Sequence, residues 1–170
     1  GAVVLHPDKP IKGLADSKRL TPKKRAQLFS EIKAKAMAWG IGYATAAEID
    51  EINIHHATLR AMKRAYEAMQ FYVEQVFVDG LHCPELPTKC TAIIKGDQLV
   101  PAISAASILA KVTRDIEMEH HHKTLPQYGF DQHKGYPTVK HIMALKKFGP
   151  CILHRRSYRP VRDAIALQRA

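Results

Sequence analysis

Two aspartates close short apolar runs. Asp79 follows Val76-Phe77-Val78, with Gly80 after it, and Asp97 follows Ala92-Ile93-Ile94 through Lys95-Gly96. Both runs have the composition of strands, so each carboxylate falls where a strand gives way to a turn. In open α/β sheets, ligands gather outside the carboxyl ends of the strands. Two adjacent strands ending this way bring two carboxylates together. Such a pair needs a proton or a divalent cation to relieve its repulsion. An Asp beside a Gly is also an ordinary turn residue. The metal reading therefore depends on further acidic groups converging, because phosphoryl transfer at two ions uses several carboxylates.

Other chemistry-bearing residues carry less. Asp50-Glu51 reads as a solvated helical turn, and Asp115 and Glu117 as surface or ion-pairing groups late in a helix. Ser104, Ser107 and Lys111 lie among alanines. Ser107 to Lys111 is one residue longer than the S-x-x-K spacing of Ser/Lys nucleophiles, so packing is the better account. Consecutive helical histidines point in different directions, so neither His55-His56 nor His120-His121-His122 makes a metal site. No glycine-rich phosphate loop is present. Two loops combine basic and aromatic groups: His133-Lys134-Gly135-Tyr136-Pro137-Thr138 and His154-Arg155-Arg156-Ser157-Tyr158. Tyrosine stacks on a sugar or base while His, Lys and Arg meet phosphate. Asp16-Ser17-Lys18-Arg19 offers further phosphate donors.

The chain has 170 residues and a net charge of +10, from 26 basic against 16 acidic side chains. The surplus points to a polyanionic partner. No apolar stretch is long enough to span a membrane, and no helix combines a basic face with a broad aromatic one. Cys83, Cys90 and Cys151 are odd in number and lack metal-ligand spacing. Reduced thiols and a cytoplasmic setting are expected.

These groups are positioned by an alternation of strands and helices, hence an α/β class. Val3–Leu5 reads as the end of a strand. Thr21-Pro22 starts a helix that buries Leu28, Phe29, Ile32 and Ala36, with Gly40 closing it. A short strand is expected at Ile41–Ala44. A second helix runs from Asn53 to Met69, with Ile54, Leu59, Met62, Tyr66 and Met69 on one face. The two Asp-ended strands follow, joined by a loop. A long helix then starts at Pro101 and reaches His122, its early turns small enough for close approach to a sheet. Helices from Val139 to Phe148 and from Pro160 complete the chain.

Taken in order, several motifs resemble bacterial ribonuclease HII. They are Asp16-Ser17-Lys18-Arg19-Leu20, Asn53-Ile54, Val78-Asp79-Gly80, Lys95-Gly96-Asp97, Ser104 to Asp115, Gln127-Tyr128-Gly129-Phe130, His133 to Thr138 and His154 to Ser157. The resemblance covers essentially the whole chain. It implies a ribonuclease H-like fold, a mixed sheet flanked by helices. Residues 1–170 would form one domain, with about 139–170 as its C-terminal helical part. It implies an endonuclease that cuts the RNA strand of RNA–DNA hybrids, and cuts 5′ of single ribonucleotides in duplex DNA. The products are 5′-phosphate and 3′-hydroxyl ends, as ribonucleotide excision repair requires. Two Mg²⁺ or Mn²⁺ ions are the implied cofactors and a monomer the implied state.

By the same resemblance, Asp79 and Asp97 are two of four metal-binding acidic residues. Tyr136 is the tyrosine that packs on the ribose at the RNA–DNA junction. Ser17, Lys18, His133, Lys134, Arg155 and Arg156 are candidate nucleic-acid contacts. The chain departs from the family in one respect: it has no Asp-Glu-x-Gly-Arg-Gly motif. Its first residues resemble the end of the family's second strand, so the first strand and most of the second are expected to be missing. On that reading the 170 residues alone are inactive or nearly so, expose apolar helix faces and leave an unpaired sheet edge. Two other classes stay open: a catalytically dead nucleic-acid-binding remnant and an unrelated α/β metal-dependent phosphatase.

Overall fold

The computed structural model describes residues 1–169, which divide into two compact units. The first comprises residues 1–43 and 58–112, and the second 44–57 together with 113 onward.

In the first unit, β1 (Ala2–Val4) pairs antiparallel with β2 (Ala38–Gly40), Val3 opposite Trp39. Between them runs α1 (Pro22–Lys35), started as the sequence indicates. The Thr21 side chain accepts the Lys24 N–H at 3.2 Å, and Pro22 occupies the first turn. The helix stops earlier than expected. Ala36 turns extended and the Met37 N–H donates to the Val4 carbonyl, so the chain is already pairing with β1. Gly40 therefore does not close α1, and the strand expected at Ile41–Ala44 lies at Ala38–Gly40 instead.

The reason for glycine here is contact with a helix. α2 (Ala46–Ala68) lies so near that a Cβ on Gly40 would come within 2.2 Å of the Ala65 carbonyl oxygen, and one on Gly42 within 2.1 Å of that of Ala61. α2 begins well before Asn53 because Thr45 and Glu48 form a capping box, each side chain accepting the other's main-chain N–H. Asn53 marks a kink. At φ 64° and ψ 167° it leaves the helix, and its side chain caps the N–H groups of His55 and His56.

β3 (Gln75–Asp79) and β4 (Lys89–Ile93) pair in parallel, with α3 (Gly96–Leu99) directly after β4. α4 (Pro101–Thr124) then supplies Ala105, Ile108 and Leu109 to a core with Leu28 and Ile32 of α1. Among the described residues the two strand pairs share no ladder. A cavity of about 510 Å³ is lined by residues of both, including Val3, Val4, Val76 and Val78, and by Ile103 and Ala106 of α4.

The second unit is helical. A 3₁₀ turn at Pro126–Tyr128 leads to α5 (Phe130–His133), α6 (Val139–Phe148) and α7 (Arg159–Arg169). Its core gathers Met118, Tyr128, Phe130, Leu145, Val161 and Ala164. Cys83, Cys90 and Cys151 are free thiols. No helix among the described residues is long and apolar enough to cross a membrane.

At Gly42 even one methyl group meets helix backbone. Gly42→Ala is expected to lower stability by about 2 kcal/mol, the usual scale of overpacking. The urea midpoint measures it, and an unchanged midpoint would mean that α2 yields freely.

Candidate active site

The parallel register sets Asp79 opposite Ile93, and the Gly80 N–H continues the ladder to the Ile93 carbonyl at 3.0 Å. The chain then turns through Lys95 at φ 56° into α3, which holds Asp97 in its first turn. A 2.8 Å hydrogen bond from the Gly96 N–H to Asp79 Oδ1 locks the end of β3 to this turn. A side chain at Gly96 would meet Ile103 of α4, so the turn is seated tightly. Ser104 donates its hydroxyl to the Asp97 carbonyl at 2.7 Å. Ser104 and Ser107 thus bond to helix carbonyls, as packing serines do.

A third carboxylate, not anticipated in this role, joins the pair electrostatically. Desolvation, then the charges of Asp79 and Asp16, push the Asp97 carboxyl above its ordinary range, and Lys18 partly offsets them. Asp16 and Lys18 reach this position through a local turn in which Asp16 Oδ1 accepts the Lys18 N–H at 2.9 Å. Arg25 of α1 clamps that loop by donating to the carbonyls of Ser17 and Leu20 at 2.7 and 2.6 Å. The signal in the sequence was the Asp-x-Lys turn spacing. Among the described residues, no group of three or more His, Cys, Asp or Glu side chains is arranged to hold a metal. The first unit thus brings the charges of Asp79 and Asp16 to bear on the Asp97 carboxyl.

The second unit holds the other candidates. Tyr136 is more than half exposed, on a loop turned by Lys134 at φ 50° and Gly135 at φ 86°. Lys134 pairs with Glu119 at 2.6 Å. Arg155 lies over the Tyr158 ring and donates to its hydroxyl at 3.0 Å, while Arg156 is exposed. Two expected phosphate donors are placed otherwise. Ser17 is buried. His133 is buried too, with Nε2 against the Tyr128 carbonyl at 2.7 Å and Nδ1 accepting the Gly135 N–H.

Asp50, set aside as a solvated helical residue, has a specific partner. It accepts the N–H groups of Arg156 and Ser157 at 2.7 and 2.9 Å and the Ser157 hydroxyl at 2.5 Å. Partial burial acts to raise its carboxyl, but the Ser157 hydroxyl, these N–H groups and the Arg156 charge hold it below the ordinary range. Asp50 therefore shapes the loop that presents Arg155 and Arg156. Glu117 pairs with Arg114 at 2.9 Å, and His122 lies 3.2 Å from Asp131.

A family model described as ribonuclease HII matches residues 2–161. A ribonuclease HII of Desulforamulus reducens is 52% identical over 164 residues, covering 96% of this chain and 83% of the relative. That of Polynucleobacter necessarius is 54% identical over 169 residues, covering 97% and 86%. Among solved structures, ribonuclease H2 from Pyrococcus horikoshii is similar with a TM-score of 0.75 and 25% identity, covering 92% of this chain and 81% of that one. Ribonuclease HII of Archaeoglobus fulgidus, solved in a complex with PCNA, has a TM-score of 0.59 at 20% identity, covering 85% and 77%; this is a likeness of fold.

The pH dependence of stability follows from the second unit's buried histidines. Burial, then the neighbouring His141 and His133, lower His154 to about 4 from 6.5. The folded protein thus binds fewer protons than the unfolded chain between those values. Stability is full above pH 6.5 and lost as pH falls toward 4. The melting temperature is expected to drop from pH 7 to pH 5, and to drop less in His154→Gln. Equal drops would show that other groups set the slope.

Proposed function

The chain belongs to the ribonuclease HII family, and from that premise we propose that Asp79 and Asp97 are metal-binding residues of its cleavage site. The family makes the protein a ribonuclease H hydrolase, an endoribonuclease for RNA–DNA hybrids. One observation carries the proposal for the two aspartates. The end of β3, bonded through Asp79 to the Gly96 N–H of the turn after β4, sets the Asp79 carboxylate close enough for its charge to act on Asp97 in the first turn of α3. Nothing in ordinary packing requires like charges to be held there.

In this reading the protein also cuts 5′ of single ribonucleotides in duplex DNA, the opening step of their excision. The ends left are a 5′-phosphate and a 3′-hydroxyl. Divalent-metal dependence goes with the family, and the reading specifies Mg²⁺ or Mn²⁺, which when bound activate the attacking water and stabilise the leaving oxygen. Asp79 and Asp97 hold the ions, and Lys18 meets a backbone phosphate beside them. Tyr136 packs on the ribose at the junction, while Lys134, Arg155 and Arg156 bind backbone phosphates. The 170 residues act as a single ribonuclease H-like domain with 139–170 as its helical part, in the cytoplasm and as a monomer.

A second reading concerns residues 1–170 taken alone. Two carboxylates, with no larger acidic cluster among the described residues, are too few to hold two ions. The net charge of +10 still binds polyanions. Taken alone, these residues bind nucleic acid without cutting it.

The test uses three duplexes: an RNA–DNA hybrid, DNA with one ribonucleotide, and DNA alone. The protein encoded by the whole gene is expected to cut the first two with Mg²⁺ or Mn²⁺. Asp79→Asn or Asp97→Asn should lower kcat on the order of 10²-fold or more, the scale of losing one transition-state stabiliser. Residues 1–170 alone should bind all three and cut none. Near-normal cleavage by either variant removes the metal-binding assignment, and cleavage by residues 1–170 alone removes the second reading.

A further inference from the structure

Three imidazoles lie together in the core of the second unit: His133, His141 and His154, each less than a tenth exposed. Their hydrogen bonds run in one direction. The Cys151 main-chain N–H donates to His154 Nδ1 at 3.0 Å, with the Cys151 sulfur 3.1 Å from the same nitrogen. A main-chain N–H can only donate, so His154 keeps its proton on Nε2. That nitrogen is 3.0 Å from His141 Nε2, which must then accept. His141 carries its proton on Nδ1 and donates it to the Tyr136 carbonyl at 3.0 Å. Backbone groups of fixed sense stand at both ends, so the direction cannot reverse.

The relay ends on the residue assigned to the ribose. Tyr136 sits in a tight loop: its N–H bonds to the His133 carbonyl, and its own carbonyl also accepts the Thr138 N–H. Thr138 in turn caps α6, the helix that carries His141. His133 stacks on His141, with ring centroids 4.2 Å apart. Main-chain restraint and side-chain exposure thus meet at Tyr136. Apolar side chains would fill this core without the cost of burying polar atoms. A directed hydrogen-bond chain aimed at one carbonyl gives the histidines a reason beyond volume.

We propose that His141 and His154 are positioning residues for Tyr136, a one-way relay of neutral imidazoles that fixes its main chain. The relay thereby sets the preference for an isolated ribonucleotide over continuous RNA. The proposal rests on the reading that Tyr136 packs on the ribose. Cys151, Tyr128 and His133 are the titratable groups that face the pair. Burial lowers both His141 and His154, His154 to about 4, so the relay is intact at neutral pH.

The experiment uses the protein encoded by the whole gene. It reads the ratio of kcat/KM on a single-ribonucleotide duplex to that on a hybrid. His141→Leu, which cannot donate to Tyr136, is expected to lower the ratio about tenfold, the scale of one lost hydrogen bond. His141→Asn keeps a donor near the position of Nδ1 and should hold the ratio within about twofold. In a Tyr136→Ala background, His141→Leu should change the ratio no further. If Tyr136→Ala lowers the ratio but His141→Leu leaves it alone, the histidines only fill space and the inference fails while the role of Tyr136 stands. A ratio unaffected by Tyr136→Ala overturns both. Should His141→Leu fail to fold, the ring nitrogens of the unsubstituted protein decide by ¹⁵N NMR at pH 7. The expected result is a proton on Nε2 of His154 and on Nδ1 of His141. Charged rings or reversed tautomers end the proposal.

Discussion

The 2.8 Å hydrogen bond from the Gly96 N–H to Asp79 Oδ1 ties the end of β3 to the turn that carries the chain from β4 to Asp97 in α3. Asp79 and Asp97 repel, and desolvation adds to the cost of the Asp97 charge. The fold holds them in place through main-chain geometry, which repulsion between side chains cannot easily displace. Parallel pairing fixes the strand ends, the left-handed turn at Lys95 reverses the chain, and Ser104 of α4 holds the Asp97 carbonyl. Each support is a main-chain or short-side-chain bond with little freedom to relax.

Features that depend on local sequence were legible. Thr21-Pro22 starts α1 because the cap and the proline act within one turn, and the two apolar runs pair as strands ending at their acidic turns. Asp79 could be singled out because strand, Asp and Gly adjoin. What could not be read depends on distant partners or on competing local signals. Gly40 looks like a helix terminator until the carbonyl of Ala65 is found against it. The N-terminus of α2 was missed although Thr45 and Glu48 have capping-box spacing, because the kink at Asn53 offered a competing start. Asp50 and Ser157 are far apart in sequence, and no local pattern links them.

The buried histidines show a related limit. Residue type alone makes His133 a phosphate donor, since it sits in a basic loop beside Lys134 and Tyr136. The structure turns it inward, with main-chain groups on both ring nitrogens. A loop shaped tightly enough to present Tyr136 needs its own polar groups satisfied, and His133 serves that need. Exposure divides the work: Arg156 and Tyr136 face outward, while the imidazoles that brace the loop are sealed from solvent.

Asp16, Asp50 and Asp79 are the same residue type in three electrostatic settings, and the differences follow from their neighbours. Asp50 faces three donors and the Arg156 charge, so its negative charge is satisfied by the protein itself. Asp79 accepts from the Gly96 N–H yet also lies near the Asp97 carboxylate, so the protein stabilises and opposes its charge at once. Asp16 spends one oxygen on its own turn and adds its charge to Asp97. A carboxylate satisfied from within shapes a loop. At Asp97 the carboxylates are left in mutual repulsion that Lys18 only partly offsets. The uneven distribution of compensating charge, more than the presence of acidic residues, distinguishes the strand-end carboxylates from Asp50.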